Sequence, residues 1–147
     1  MKVTCGIYLF NNENRLLIGH PTKHAWFTWS IPKGRVDEVE IDHYEVAKRE
    51  LLEETNIDIN KIKDKIVASF EFDLLRYRAT NKYLKSYYIK CNYDFTNEDI
   101  KCDSMVIHNG IAVFPEIDAF KWVTIEEAKE LLHESQTLNL EMCQKLL

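Results

Sequence analysis

The sequence predicts an α+β fold in which sheet is sandwiched between helices, and three observations carry that prediction. Strand-like and helix-like segments follow the order β-β-β-α-β-β-β-β-α-α, with strands grouped rather than alternating strictly with helices. A length of 147 residues is one domain's worth, and 46 % apolar against 29 % charged residues is the balance of a folded chain with one core. Only four Gly and three Pro punctuate the chain, and no repeat, low-complexity tract or linker marks an internal boundary, so residues 1–147 form a single domain.

Each element has a local cause. Val3 to Phe10 reads as a strand, with Val3, Cys5, Ile7 and Leu9 on one parity and Tyr8 and Phe10 on the other. Asn11-Asn12-Glu13-Asn14 is a polar turn and Arg15 to Gly19 resumes the apolar run, which gives a hairpin. His20 to Trp29 is a ring-rich loop ending at Ser30-Ile31-Pro32-Lys33-Gly34, where Pro and Gly force a bend. Asp42 to Thr55 is the clearest helix. Asp42 caps its first turn with Glu45 three residues on, Asn56 supplies a left-handed stop, and Tyr44, Ala47 and Leu51 share the core-facing arc. Ile66 to Leu75 and Tyr83 to Tyr93 are strands, and Asp94 to Asn109 is polar and irregular. Gly110 to Phe114 and Ala119 to Val123 are short strands separated by Pro115-Glu116-Ile117-Asp118. Thr124 opens a helix through Leu132 at capping-box spacing, and Ser135 or Thr137 starts a last helix.

Charge and cysteine usage narrow the function. A formal net charge of −5 argues against a broad basic surface for duplex DNA, but it is compatible with a small phosphorylated substrate held through metal ions. No apolar run approaches the ~18 residues of a membrane span, and Met1 to Gly6 leads straight into a strand pattern without a signal-peptide core. Cys5, Cys91, Cys102 and Cys143 are scattered, with no pair at C-x-x-C spacing. The expectation is a cytoplasmic protein with four reduced thiols and no membrane partner. The five histidines show no metal-ligand spacing within one element.

The chemistry lies in Gly34 to Ile57. On a helix, Glu50, Glu53 and Glu54 fall within an arc of about 100°. Acid runs are most often the solvated side of a surface helix. Here, however, three mutually repelling carboxylates sit beside a core face and directly after a Gly-bounded loop, which points to a compensating cation. Hard divalent ions with oxygen ligands, Mg²⁺ or Mn²⁺, suit such a set. Arg49, next on the wheel, can hold one carboxylate by a bidentate contact.

Gly34, Glu40, Arg49, Glu50, Leu51, Glu53, Glu54 and Ile57 match by type the signature box of the Nudix hydrolases, G-x5-E-x7-R-E-U-x-E-E-x-G-U with U aliphatic, and the segment resembles that box. Two positions depart from it. Eight residues rather than seven separate Glu40 from Arg49, which leaves the role of Glu40 open, and Asn56 replaces the penultimate Gly. The resemblance implies an α/β/α sandwich around a mixed sheet and a metal-dependent hydrolase acting on the pyrophosphate bond of a nucleoside diphosphate-linked substrate. It implies Glu50, Glu53, Glu54 and the backbone of Lys33 or Gly34 as holders of Mg²⁺ or Mn²⁺. Glu53, at the edge of the acid arc, is the expected base, Arg49 its neighbour, and Glu116 the candidate acid from outside the box, with Glu71 a weaker one.

The run from Trp29 to Val36 resembles the W-x-x-P-K-G-x-V approach to the box in diadenosine polyphosphate hydrolases, and Lys82 to Lys90 resembles their tyrosine-bearing strand. Trp29, Lys33, Arg35 and Lys85 are therefore candidate substrate contacts, and Tyr87 or Tyr88 a candidate adenine-stacking ring, although strand tyrosines mostly serve packing. Dinucleoside polyphosphates or ADP-ribose-like compounds are the first substrate expectation. The 5′ end of RNA is the second, and a nucleotide-binding module without turnover the third. The oligomeric state is not legible.

Overall fold

In a computed structural model that describes residues 2–36, 42–77 and 81–147, strands β1 (Lys2–Phe10), β2 (Leu16–Pro21), β3 (Lys33–Arg35), β4 (Ile66–Glu71), β5 (Leu75–Arg76), β6 (Lys82–Cys91) and β9 (Ile117–Val123) form one sheet. Its main path is β4-β6-β1-β2-β9, with β3 added to β1 and β5 to β6. The sheet is mixed, because β1 runs parallel to β6 while the other pairs are antiparallel. Helix α1 (His43–Thr55) covers one face, and α2 (Ile125–Leu131), α3 (Glu134–Thr137) and α4 (Leu140–Leu146) lie on the other. The α/β/α sandwich implied by the sequence is what forms.

The parity of β1 explains the layers. Cys5, Ile7 and Leu9 join Val46, Ala47 and Leu51 of α1 in one core cluster, while Tyr8 and Phe10 join Ile125, Ala128 and Leu140 in the other. At the hairpin, the Asn11 side chain accepts from the backbone N–H groups of Glu13 and Arg15, and Asn14 takes a left-handed conformation. Asp42 caps α1 by accepting from the N–H groups of Tyr44 and Glu45, while the Glu45 carboxylate pairs with Lys48 at 2.7 Å. Asn56 ends the helix with φ 67°, the left-handed stop its position implied. Thr124 and Glu127 form the reciprocal cap of α2.

Three boundaries differ from the expectation. The predicted strand Ile66 to Leu75 breaks at 72–74, where Phe72 turns inward, 4 % exposed, and its N–H donates to Ser86 O. The stretch read as irregular up to Asn109 contains β7 (Met105–His108), which pairs with β8 (Ile111–Pro115) in a separate hairpin. Asn109 and Gly110 both have positive φ there, as a tight two-residue hairpin turn requires. The expected last helix is two pieces, α3 and α4. The four cysteines are free thiols, and no helix among the described residues is long and apolar enough to cross a membrane.

Candidate active site

The acids of α1 meet β3 because β3 pairs with β1 and α1 packs on the same face, which sets Gly34 directly over the helix. A methyl group at Gly34 would fall inside the Glu50 carboxyl, so the absence of a side chain there is what admits that carboxyl beneath the strand. Glu54 is anchored alongside, its Oε1 accepting from the backbone N–H of Lys33 at 3.3 Å. Glu50 and Glu54 are only 8 % and 7 % exposed, whereas Glu53 is half-exposed. Arg49 Nη1 donates to Glu50 Oε1 at 3.0 Å and to Glu53 Oε1 at 2.9 Å, bridging two acids where a bidentate contact to one was expected.

Glu116 reaches this cluster through a short backbone relay. The N–H groups of Asp103 and Ser104 donate to Glu53 O at 2.9 and 3.1 Å, and Glu116 N–H donates to Ser104 O at 2.8 Å. The Glu116 carboxylate is near enough to raise the pKa of both Glu50 and Glu54. Burial, and then the neighbouring Glu53, push the Glu50 carboxyl up to about 7 against the opposing pull of Arg49. Burial also raises Glu54 above the ordinary carboxylate range, with Glu50 and Glu116 adding to it, although Lys33 opposes the shift. Two enclosed acids of raised pKa, with Glu53 and Glu116 nearby, are an unfavourable arrangement for protein groups alone that a divalent cation would relieve. The donor set is all oxygen, which fits Mg²⁺ or Mn²⁺. Among the described residues, no three acid, thiol or imidazole groups already stand together in ligand geometry. Glu40 lies outside the described residues.

The other candidates divide. Trp29, Lys33 and Arg35 line one cavity of about 560 Å³. Lys85, Tyr87 and Tyr88 do not line it. Tyr88 is fully enclosed against Phe10 in the core, so it presents no face for an adenine to stack on. Tyr87 packs on Tyr44 at 4.9 Å between centroids and is 7 % exposed. Lys85 donates to Phe72 O at 2.7 Å and pairs with Glu71 at 3.2 Å, which places both residues at the β4–β6 edge. The same cavity takes in Tyr77, Lys82, His133 and Gln136, none of which was singled out from the sequence. They come from segments far apart in the chain, so no spacing connects them. Gln136 holds its wall, with Oε1 accepting from Ile31 N–H at 3.0 Å and Nε2 donating to Ser30 Oγ at 3.1 Å.

Comparison with known proteins places the chain in a family. The model of the NUDIX domain matches residues 1–142. The RNA pyrophosphohydrolases of Bartonella clarridgeiae and Pelagibacter ubique are each 28 % identical to this chain, over 138 and 132 residues, covering 86 % of it and 78 % of theirs. A Caenorhabditis elegans Ap4A hydrolase, solved as a binary complex, superposes with a TM-score of 0.69 at 21 % identity, covering 97 % of this chain and 96 % of that one. The chain belongs to the NUDIX family and is a hydrolase of that family.

Proposed function

We propose that this hydrolase cleaves a pyrophosphate bond in a nucleotide-linked substrate, using divalent ions held by Glu53, Glu54 and Glu116 with the backbone carbonyl of Lys33 or Gly34. The observation that carries the proposal is the acid cluster beneath Gly34, in which Glu50 and Glu54 are enclosed and Glu53 shares Arg49 with Glu50. When bound, Mg²⁺ or Mn²⁺ supplies charge neutralisation for the anhydride and acidifies a water.

Lys33 and Arg35 hold outer phosphates in the cavity, and Arg49 keeps the carboxylates of Glu50 and Glu53 oriented. The expectation from the helix wheel was Glu53 as base. Packing supports Glu50 instead: it is enclosed beneath Gly34 and oriented by Arg49, whereas Glu53 is the water-facing member. Trp29 serves as a wall, because its indole N–H is spent on Trp26 O at 3.0 Å.

Dinucleoside polyphosphates and ADP-ribose-like compounds remain the first substrate reading, supported by the run from Trp29 to Val36. The second is the 5′ end of RNA, which the names of the curated relatives favour. A screen that resolves products, with Mg²⁺ or Mn²⁺, should cover a dinucleoside polyphosphate, ADP-ribose, the deoxynucleoside triphosphates and a triphosphorylated RNA. Cleavage between phosphates in at least one substrate is expected. No turnover of any of them would leave a binding module in place of an enzyme.

A further inference from the structure

Trp26 is the most exposed large hydrophobic side chain among the described residues, at 80 %, and its neighbour Phe27 stands at 60 %. The two rings meet edge to face, 5.7 Å apart at an interplanar angle of 84°. Their loop is braced rather than slack. Thr22 donates from N–H to Glu116 O at 2.9 Å and from Oγ1 to Pro115 O at 2.6 Å, which ties the root of the loop to the turn that carries the outer acid. Thr28 N–H and His20 Nε2 both bond Ala25 O, and the Trp29 indole bonds Trp26 O. A fixed loop thus holds two rings in water, at the cost of leaving apolar area exposed.

On its inner side this loop forms part of the cavity of about 560 Å³, through His24, Thr28 and Trp29. That cavity and an adjoining one of about 690 Å³ share Tyr77, Lys82, His133 and Ser135 as walls. Lys2, Lys33, Arg35, Arg76 and Lys82 line the two spaces, with Glu134 as the one acid among the described lining residues, in a chain whose net charge is −5. Trp26 and Phe27 lie outside both walls. A compact nucleotide seated within the cavities has no need of them, whereas a chain that continues over the rim would meet them.

From this we infer that Trp26 and Phe27 form a stacking platform for a nucleobase of a single-stranded, 5′-polyphosphorylated RNA, whose 5′ end enters the cavity beside Lys33 and Arg35. Exposed aromatic faces next to a cationic groove are the means by which single strands are held without base-edge readout. The inference builds on the proposed hydrolysis and selects the second of its substrate readings, as RNA longer than a dinucleotide.

The test compares kcat/KM on 5′-triphosphorylated RNAs of two and eight nucleotides. Wild type should prefer the longer RNA by about tenfold, mainly through KM, and the W26A/F27A double variant should lose that preference. Equal efficiency on both RNAs in wild type, or a preference that survives the double substitution, would overturn the platform. A second arm needs no turnover: in chelator, tryptophan emission is titrated with a 5′-monophosphorylated octanucleotide. Stacking should quench wild type, and Trp26→Phe should lose most of the quench. An unchanged quench in that variant, or the same quench and affinity with a dinucleoside polyphosphate, contradicts the inference. A wild type that shows the Trp26-dependent quench but cleaves no anhydride sustains the platform and removes the hydrolytic reading instead.

Discussion

Helix α1 buries two carboxylates, Glu50 and Glu54, whereas strand β6 buries two phenols, Tyr87 and Tyr88. Both segments carry residue types that serve in nucleotide sites, yet burial has opposite meanings in them. Enclosing a ring adds favourable apolar contact, so Tyr88 against Phe10 needs no ligand to account for it. Enclosing a carboxylate is unfavourable by several kcal/mol unless a charge partner or a proton offsets it. A buried acid pair is therefore a pointer to function in a way that a buried aromatic pair is not.

Substitutions can break this contrast from either side. Glu50→Gln should lower kcat by about a thousandfold with little change in unfolding midpoint, since it removes the proposed base but keeps the packing. Parallel kinetics on Glu53→Gln would sharpen the assignment: a larger kcat loss there than in Glu50→Gln returns the base role to Glu53. Gly34→Ala places a methyl where the Glu50 carboxyl lies and should cut kcat by about tenfold to a hundredfold, with a stability cost of about 1–3 kcal/mol seen in urea unfolding. Tyr88→Phe should leave kcat/KM unchanged and match or slightly raise the melting temperature, because the Tyr88 hydroxyl is buried without a hydrogen-bond partner among the described residues. A tenfold fall in kcat/KM for that variant would restore Tyr88 to the substrate site.

The smallest effect concerns His20, outside the acid cluster. Its Nδ1 lies 2.7 Å from Asp118 Oδ1 and its Nε2 lies 3.0 Å from Ala25 O. Both partners only accept, so the doubly protonated ring satisfies them best. Burial alone would lower its pKa, but the Asp118 bond, helped by Ala25, outweighs that and holds it above the ordinary value. The folded pKa being the higher one, the contribution is fully present below the unfolded His pKa and is lost as pH rises through the folded value. Because Asp118 is partly exposed, the effect is under about 1 kcal/mol. Urea midpoints for wild type should fall between pH 6 and 8.5, and those of Asp118→Asn should fall less.

Local signals made most of the fold legible. The alternation of Val3 to Phe10, the caps Asp42 and Thr124 and the stop at Asn56 each act within a few residues, and each forms as read. The hairpin of β7 and β8 was missed although Asn109-Gly110 is a strong turn dipeptide, because the polar run before it masked the short strand Met105–His108. For the site, the i, i+3, i+4 acids of α1 were visible from helix geometry, while Glu116 was a candidate through the resemblance to the Nudix box. The cavity walls were not visible, because Tyr77 and Lys82 are brought to His133 by the parallel pairing of β1 with β6 and the docking of α3 through Gln136. Lys85 and Tyr87 drew a functional reading from the resemblance of Lys82 to Lys90 to a tyrosine-bearing strand, and their parity on β6 sends them toward Tyr44 and the β4 edge.

The most direct test is Mn²⁺ binding followed by electron paramagnetic resonance, in wild type and in Glu54→Gln, with and without a non-hydrolysable methylene analogue of a nucleotide pyrophosphate. Wild type should bind Mn²⁺ more tightly with the analogue present, and Glu54→Gln should bind at least tenfold more weakly while keeping its fold by circular dichroism. Equal Mn²⁺ affinity in the two proteins, unaffected by the analogue, would mean that the acids beneath Gly34 do not gather cations against an anhydride.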